Sequence, residues 1–223
     1  MLARSLVQVA LFVLPWKLRR LLLNRIPGYS IDPTARIGFS IVVPYRTLRL
    51  GPGAKIGHLN LMRGMDAVRL GENAVIAHLN WIYAIPMHFR HLSHEKERRA
   101  ELVLEDGAGV TRRHLIDCSN TVSLGRNALI AGYGTQVLTH AIDLGEGKQG
   151  SRPVLIGESS MVGTRAVILG GSVLPGFSAL GAGSVLRSVY ERQHRIYSGV
   201  PATDVAPVDP SSEFFRRSSA YVD

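Results

Sequence analysis

The stretch from Pro153 to Leu186, PVLIGESSMVGTRAVILGGSVLPGFSALGAGSVL, repeats in sixes. Ile156, Val162, Ile168, Leu174, Leu180 and Leu186 fall in step. Four residues after each of the first five stands a small one: Ser160, Ala166, Ser172, Ser178 and Ser184. With roughly half of ordinary residues apolar, six apolar hits in register arise by chance about once in sixty trials. The matching row of small residues makes chance a poor account. Six is not the 3.6-residue period of a helix, nor a strand's alternation alone. It fits a chain that turns a corner every six residues, with an aliphatic side chain pointing inward on each short face. The small residue then sits where the corner has no room for bulk. Stacked turns of this kind bury one aliphatic column and pair their backbones about 4.8 Å apart.

The repeat begins less tidily upstream. IDPTARIG from Ile31, LGPGAKIG from Leu50 and LGENAVIA from Leu70 each carry an alanine four residues after the aliphatic opening, and Ile37, Ile56 and Ile76 follow six residues after it. LGRNALIAG from Leu124 is a further pair of hexads. Between them, residues 85–100 (IPMHFRHLSHEKERRA) lose the step and are rich in charge, which predicts an insertion, a short helix projecting from the coils. His88, His91 and His94 stand there at i, i+3 and i+6. Only neighbouring pairs share a helix face, and no Cys or Asp completes a ligand set, so a solvated basic helix is expected and no metal. After Thr139-His140, residues 141–152 again lack the aliphatic step and read as a loop leaving the coil. A polar loop beside a histidine is where a cleft is built.

Composition narrows the classes. Hydrophobic content of 46% with 19% charged residues over 223 positions describes one folded repeat domain with appendages. The lone Cys118 excludes an internal disulfide, fits a reducing compartment, and has no activating neighbour in the sequence; a packed thiol is expected. The formal net charge of +9 invites a nucleic-acid reading. No basic-aromatic motif or helix-turn-helix pattern supports that reading, and polyanionic ligands or an anionic membrane surface explain the charge instead. Residues 1–30 form a basic and apolar leader in which no acidic residue precedes Asp32. Its apolar run, Leu6 to Trp16, is too short to span a bilayer, which takes about 20 residues, and no small-x-small cleavage site follows it. Two roles remain open, a helix lying on a membrane surface and a helix capping the open end of the coils.

IGESSMVG, the downstream LGAGSVL and the closing SGVPA resemble the hexapeptide-repeat acyltransferases, a family of left-handed parallel β-helices. The resemblance runs from about Ile31 to Ala202. It implies a β-helix domain over 31–187, carrying the insertion 85–100 and the loop 141–152, and a closing segment and tail over 188–223. It also implies a hand opposite to that of ordinary parallel crossovers, and homotrimers with sites at subunit borders. The same coil builds nucleotidyltransferase tails, γ-class carbonic anhydrases and structural subunits, so it speaks more strongly for fold than for chemistry.

In that family a histidine just before an extended loop is the catalytic base, and the role falls here on His140. An imidazole near neutrality accepts the proton of a sugar hydroxyl as its oxygen attacks a thioester. His114 on the preceding coil, where relatives carry an asparagine nearby, is a candidate for holding the acceptor or assisting His140, with a structural role equally open. Asp117 and Asp143 are the carboxylates that could orient the imidazole. The donor implied is acetyl-CoA, lying along the later coils, with contacts at Met161, Gly163, Thr164, Ala182 and Arg187. Met161 stands where relatives place an aromatic, and Ser188 where a lysine is common. The expected activity is O-acetyl transfer to a sugar or glycan in cell-surface polysaccharide or lipid-linked glycan assembly, and the expected location is cytoplasmic, with a peripheral place at the cytoplasmic face of the membrane left open. N-acetylation of a nucleotide-linked amino sugar and a non-catalytic scaffold remain as alternatives. Serine acetylation lacks its long helical domain here, and a carbonic anhydrase lacks its third histidine.

Overall fold

The short aliphatic faces are strands, and strands of successive turns pair in parallel. The structure, a computed structural model, describes residues 2–217; the side chains of residues 2–4 and of His91 lie outside the description. Three sheets run the length of a parallel β-helix. Face one starts at Tyr29–Ile31 and ends at its seventh strand, Val173–Leu174. Face two starts at Arg36–Ile37, and face three runs from Ile41–Val43 to Val185–Leu186. The aliphatic residues of the repeat point inward and stack, Leu50 over Leu70 on face one and Ile168 over Leu186 on face three, all buried.

Corners explain the small residues. Between faces one and two, Ala35, Ala54, Ala74, Ala108 and Ala128 are each 0% exposed, and Ser160 and Ser178 continue the column. The glycine that opens the same corner has an equally steric reason: a Cβ on Gly157 would lie 2.3 Å from the backbone nitrogen of Gly176 in the next coil. Between faces two and three the corner is polar yet buried. Asn60 Nδ2 donates to the Ala77 carbonyl (2.7 Å), the Asn80 backbone donates to Asn60 Oδ1 (2.9 Å), and the His114 backbone donates to Asn80 Oδ1 (2.9 Å). The Thr135 backbone donates in turn to His114 Nδ1 (3.1 Å). Ser40 accepts at the start of this ladder, from the Asn60 backbone.

The leader caps the open end, and it reaches all three sheets with side chains. Helix α1 (Leu2–Ala10) sends Gln8 to face three, where its amide donates to the Val42 carbonyl (2.6 Å) and accepts from the Val42 N–H (2.7 Å). Helix α2 (Trp16–Leu23) sends Arg19 to the carbonyls of Ile37 and Gly38 on face two, its guanidinium stacked over Phe12. Asn24 pairs with both backbone groups of Ile31 on face one. A first strand has one row of unpaired backbone groups, and these amides and cations satisfy it.

Two departures from the sequence reading concern appendages. The insertion does not project as a helix. It holds one short 3₁₀ turn, Arg90–Leu92, and lies against the coils through buried Leu92, Arg98 and Ala100. Arg98 donates to the carbonyls of Ile85 (2.8 Å) and Ser119 (2.6 Å), which closes the segment onto the helix wall. The loop after Thr139 is an antiparallel hairpin, His140–Asp143 with Lys148–Ser151. At the far end, Arg195–Gly199 extends face two and Ala202–Pro207 folds back on it. The tail lies on its own chain, Asn127 Nδ2 donating to the Arg217 carbonyl (3.1 Å); residues 218–223 lie outside the described residues.

Candidate active site

Face three brings Asp117 and His140 together. Asp117 ends the strand Leu115–Asp117, which pairs with Gln136–Leu138 one coil on, and His140 follows that strand after Thr139 and opens the hairpin. His140 Nδ1 lies 2.6 Å from Asp117 Oδ2. The same oxygen accepts from the backbone N–H of Thr139 (2.9 Å) and of His140 (3.1 Å) and from the Thr139 hydroxyl (2.9 Å). Oδ1 accepts from the Ser119 N–H (2.9 Å) and hydroxyl (2.5 Å). A carboxylate with no exposed surface is tolerable only when so fully bonded.

Burial by itself would raise the pKa of Asp117, but the hydrogen bonds from His140 and Ser119 outweigh it and hold the group below 3.8. The Asp117 hydrogen bond raises His140 above 6.5, against its partial burial and the nearby Arg98 cation; the Asp117 charge adds to the rise. In the neutral ring the Nδ1 proton belongs to this bond, so Nε2 is the acceptor. Nε2 has no hydrogen-bond partner among the described residues, and His140 lines a cavity of about 540 Å³. Leu138, Ile142 and Leu169 give that cavity an apolar wall, Arg152 and Arg187 give it cations, and Glu95 reaches it from the insertion. Glu95 also fastens the insertion to the hairpin, accepting from the Ser151 backbone (2.8 Å) and hydroxyl. Gly170 borders the same space: a Cβ there would meet the Thr139 carbonyl at 2.6 Å.

A second cavity, of about 580 Å³, opens on the same face toward the first coils. Tyr45, Trp81, Tyr83 and Phe89 line it with Arg63. Tyr83 pairs in register with Asp117, so the aromatic cavity and the dyad are neighbours along one sheet.

The other sequence candidates are dispersed. Asp143 is exposed in the hairpin, where its Oδ1 accepts from Gly145 and Glu146 as a turn residue does. His114 is buried at the polar corner with both ring nitrogens bonded, Nε2 to Thr111 (2.9 Å), and burial lowers its pKa to about 4. It neither lines the His140 cavity nor faces solvent. Gly163, Thr164 and Ala182 are corner residues between faces two and three: a Gly163 Cβ would lie 2.7 Å from the Ala182 nitrogen, and the Thr164 hydroxyl donates to the Tyr133 carbonyl (2.7 Å). Met161 sits on face two. Of that donor set, Arg187 alone lines the His140 cavity. Cys118 is fully buried, and desolvation pushes its thiol well above 9, with the Asp117 charge adding. Among the described residues no group of three or more His, Cys, Asp or Glu side chains is placed to hold a metal.

Sequence reasoning passed over Glu95, Ser119 and the aromatic cavity. Two signals were present: Asp117-x-Ser119 is the spacing of an Asx turn, and Trp81-Ile82-Tyr83 alternates so that both aromatics share the outer side of one strand.

No family model matches the sequence, and no curated protein matches it. Solved structures do. A variant of AntD, an N-acyltransferase from Bacillus cereus in complex with dTDP-4-amino-4,6-dideoxyglucose and coenzyme A, is 14% identical over 85% of this chain and 89% of that one, at a TM-score of 0.55. The polysialic acid O-acetyltransferase OatWY is 16% identical over 83% of this chain and 90% of that one, at 0.49. A hexapeptide transferase family protein from Anaplasma phagocytophilum is 19% identical over 82% and 80%, at 0.39. The fold neighbours are hexapeptide-repeat acyltransferases, and at these identities the likeness is one of fold.

Proposed function

We propose that this chain is a coenzyme A-dependent acyltransferase that moves an acetyl group to a sugar hydroxyl, with His140 as general base. The observation that carries the reading is the dyad: a half-buried imidazole whose Nδ1 is held by a buried carboxylate and whose Nε2 is left for a cavity. In the reaction, Nε2 takes the hydroxyl proton as the oxygen attacks the thioester carbonyl, and returns it to the departing thiolate. Asp117 fixes the tautomer and stabilises the imidazolium in between. No covalent acyl-enzyme is needed, because hydroxyl, imidazole and thioester meet in one ternary complex. The apolar wall of the cavity suits a pantetheine arm, and Arg152 and Arg187 suit its phosphates. The aromatic cavity next to Asp117 suits the C–H faces of an acceptor sugar, with Arg63 for an anionic group. An acceptor in cell-surface polysaccharide or a lipid-linked glycan, and a homotrimer, complete the proposal.

Transfer to an amino sugar is the second reading, favoured by the fold likeness to AntD. The dyad supports the hydroxyl, since an alcohol loses its proton only as it attacks, whereas a free amine is nucleophilic unaided. The test is calorimetric titration of acetyl-CoA into wild type and His140→Ala, with transfer to matched hydroxyl and amino sugars alongside. Both proteins should bind and only wild type should transfer. Absence of binding to wild type sinks the acyltransferase reading, and transfer to amines alone moves it to the second.

A further inference from the structure

Helices on a water-soluble surface turn apolar residues inward and polar ones outward. The leader does this only in part: Leu23 is buried and Leu11, Trp16 and Ile26 pack on the core, yet a second apolar set faces out. Its polar groups, Gln8, Arg19 and Asn24, are spent on the three sheet edges, with Gln8 and Arg19 each 3% exposed. Its outer side carries Leu6, Val7, Val9, Val13, Leu18 and Leu21, every one exposed, Val13 by 86%. Around them stand the exposed cations Lys17 and Arg25 and the half-buried Arg20. No acidic residue occurs before Asp32. An apolar face with only cations around it complements an anionic lipid surface. Two leaders meeting face to face would instead bring like charges together.

We propose that the outer face of α1 and α2 seats the protein on an anionic membrane surface, with the first coil nearest the lipid. The contact is interfacial. Among the described residues no helix is long and apolar enough to cross a membrane, and nine residues of α1 reach only about 14 Å. Side chains at this depth enter the headgroup boundary while cations meet the headgroups. Because the leader lies across the end of the stack, the coils rise away from the lipid. His140 follows the fifth strand of face three, so it stands roughly 20 Å above the first coil. The inference concerns the leader alone and holds whether or not His140 transfers acyl groups.

The experiment is co-sedimentation of the full chain with phosphatidylcholine vesicles, alone or with about a third phosphatidylglycerol. Wild type should partition onto the anionic vesicles, and high salt should release it. Val13→Asp with Leu21→Asp should lower partitioning at least tenfold without changing the thermal melt, since both side chains are exposed; Lys17→Glu with Arg25→Glu should abolish the preference for anionic lipid. Wild type that stays in solution with anionic vesicles overturns the proposal, as does binding unchanged in the Asp variant. If sedimentation velocity shows that the Asp variant loses self-association while vesicle binding is nil, the face belongs to a second copy.

Discussion

Replacing Asp117 with Asn keeps the shape of the side chain and removes its charge. Asp117 accepts from two groups on Ser119, two on Thr139 and two on His140. A carboxamide has one oxygen to offer, and its NH₂ must face donors. The least costly orientation keeps the oxygen toward Thr139 and His140 and aims the nitrogen at the Ser119 N–H, which loses its acceptor. A buried orphan of that kind costs about 1–3 kcal/mol. The bonds that remain weaken as well, because charge-assisted bonds are roughly twice as strong as neutral ones. We expect a total loss of about 3 kcal/mol near neutral pH, a large share of an ordinary domain's ~5–15 kcal/mol. The pH dependence changes in a defined sense. Asp117, held below 3.8, contributes stability that is complete above that value and lost as pH falls through its lowered folded pKa. His140, raised above 6.5, contributes stability that is complete below 6.5 and lost as pH climbs through its raised folded pKa. The pair therefore stabilises most between about pH 4 and 6.5, and wild type's advantage over Asp117→Asn shrinks above that window. In the variant, burial and Arg98 act on His140 unopposed by the carboxylate, so its titration moves down. Imidazole NMR titration, with urea unfolding at about pH 5.5 and about pH 8.5, reads both effects. A His140 that titrates at the same pH in both proteins refutes the coupling.

Three further outcomes are expected. The rate of acyl transfer should rise with pH through the raised pKa of His140, because only the neutral ring accepts a proton, and Asp117→Asn should move that limb to lower pH; a pH–rate profile checks both. His114, neutral until about pH 4 when folded, imposes a penalty that grows to roughly 3 kcal/mol as pH falls from 6.5 to about 4. His114→Asn, which offers Thr135 an amide oxygen as Asn60 and Asn80 do for their neighbours, should lessen that acid sensitivity in urea melts, whereas His114→Ala should cost about 1–3 kcal/mol at neutral pH by orphaning the Thr135 N–H. Gly170→Ala sets a Cβ against the Thr139 backbone; it should lose about 1–3 kcal/mol and, by shifting Thr139-His140, lower the turnover number more than it changes donor affinity.

The aliphatic column was legible because burial on a short face leaves little choice of residue. It was clearest after Pro153, where the chain takes six residues from Ile168 to Leu174, and less so earlier, where Met62 to Leu70 and Ile116 to Leu124 each take eight. Those two extra residues fall at one corner, between faces three and one, and hide the period from a search in sixes. That His140 would stand beside a cleft was readable from its place before a break in the repeat. Its partner was not: Asp117 and Asp143 stand on either side of it in the chain, and only the stacking of one coil on the next puts Asp117 beside the ring. The two roles left open for His114 could not be separated for a related reason, since a histidine as a rung among asparagines differs from a surface histidine only in its neighbours above and below. The insertion looked like a solvated helix because its charges were counted and the burial of Leu92 and Arg98 was invisible.

The polar corner has a bearing on how each turn finds its place. By their aliphatic residues the coils are interchangeable: an isoleucine stacks as well on the turn after next as on its neighbour. Ser40, Asn60, Asn80 and His114 are not interchangeable, because each offers the backbone N–H of the next rung a particular acceptor, and a turn paired out of order strands an amide in the interior. The corner thus gives every early coil an address. Addressing runs through the five longer turns, where the insertion and the hairpin interrupt the chain and wrong neighbours are within reach. It lapses at Ala166, from which the turns are uniform, uninterrupted and ordered simply by following one another.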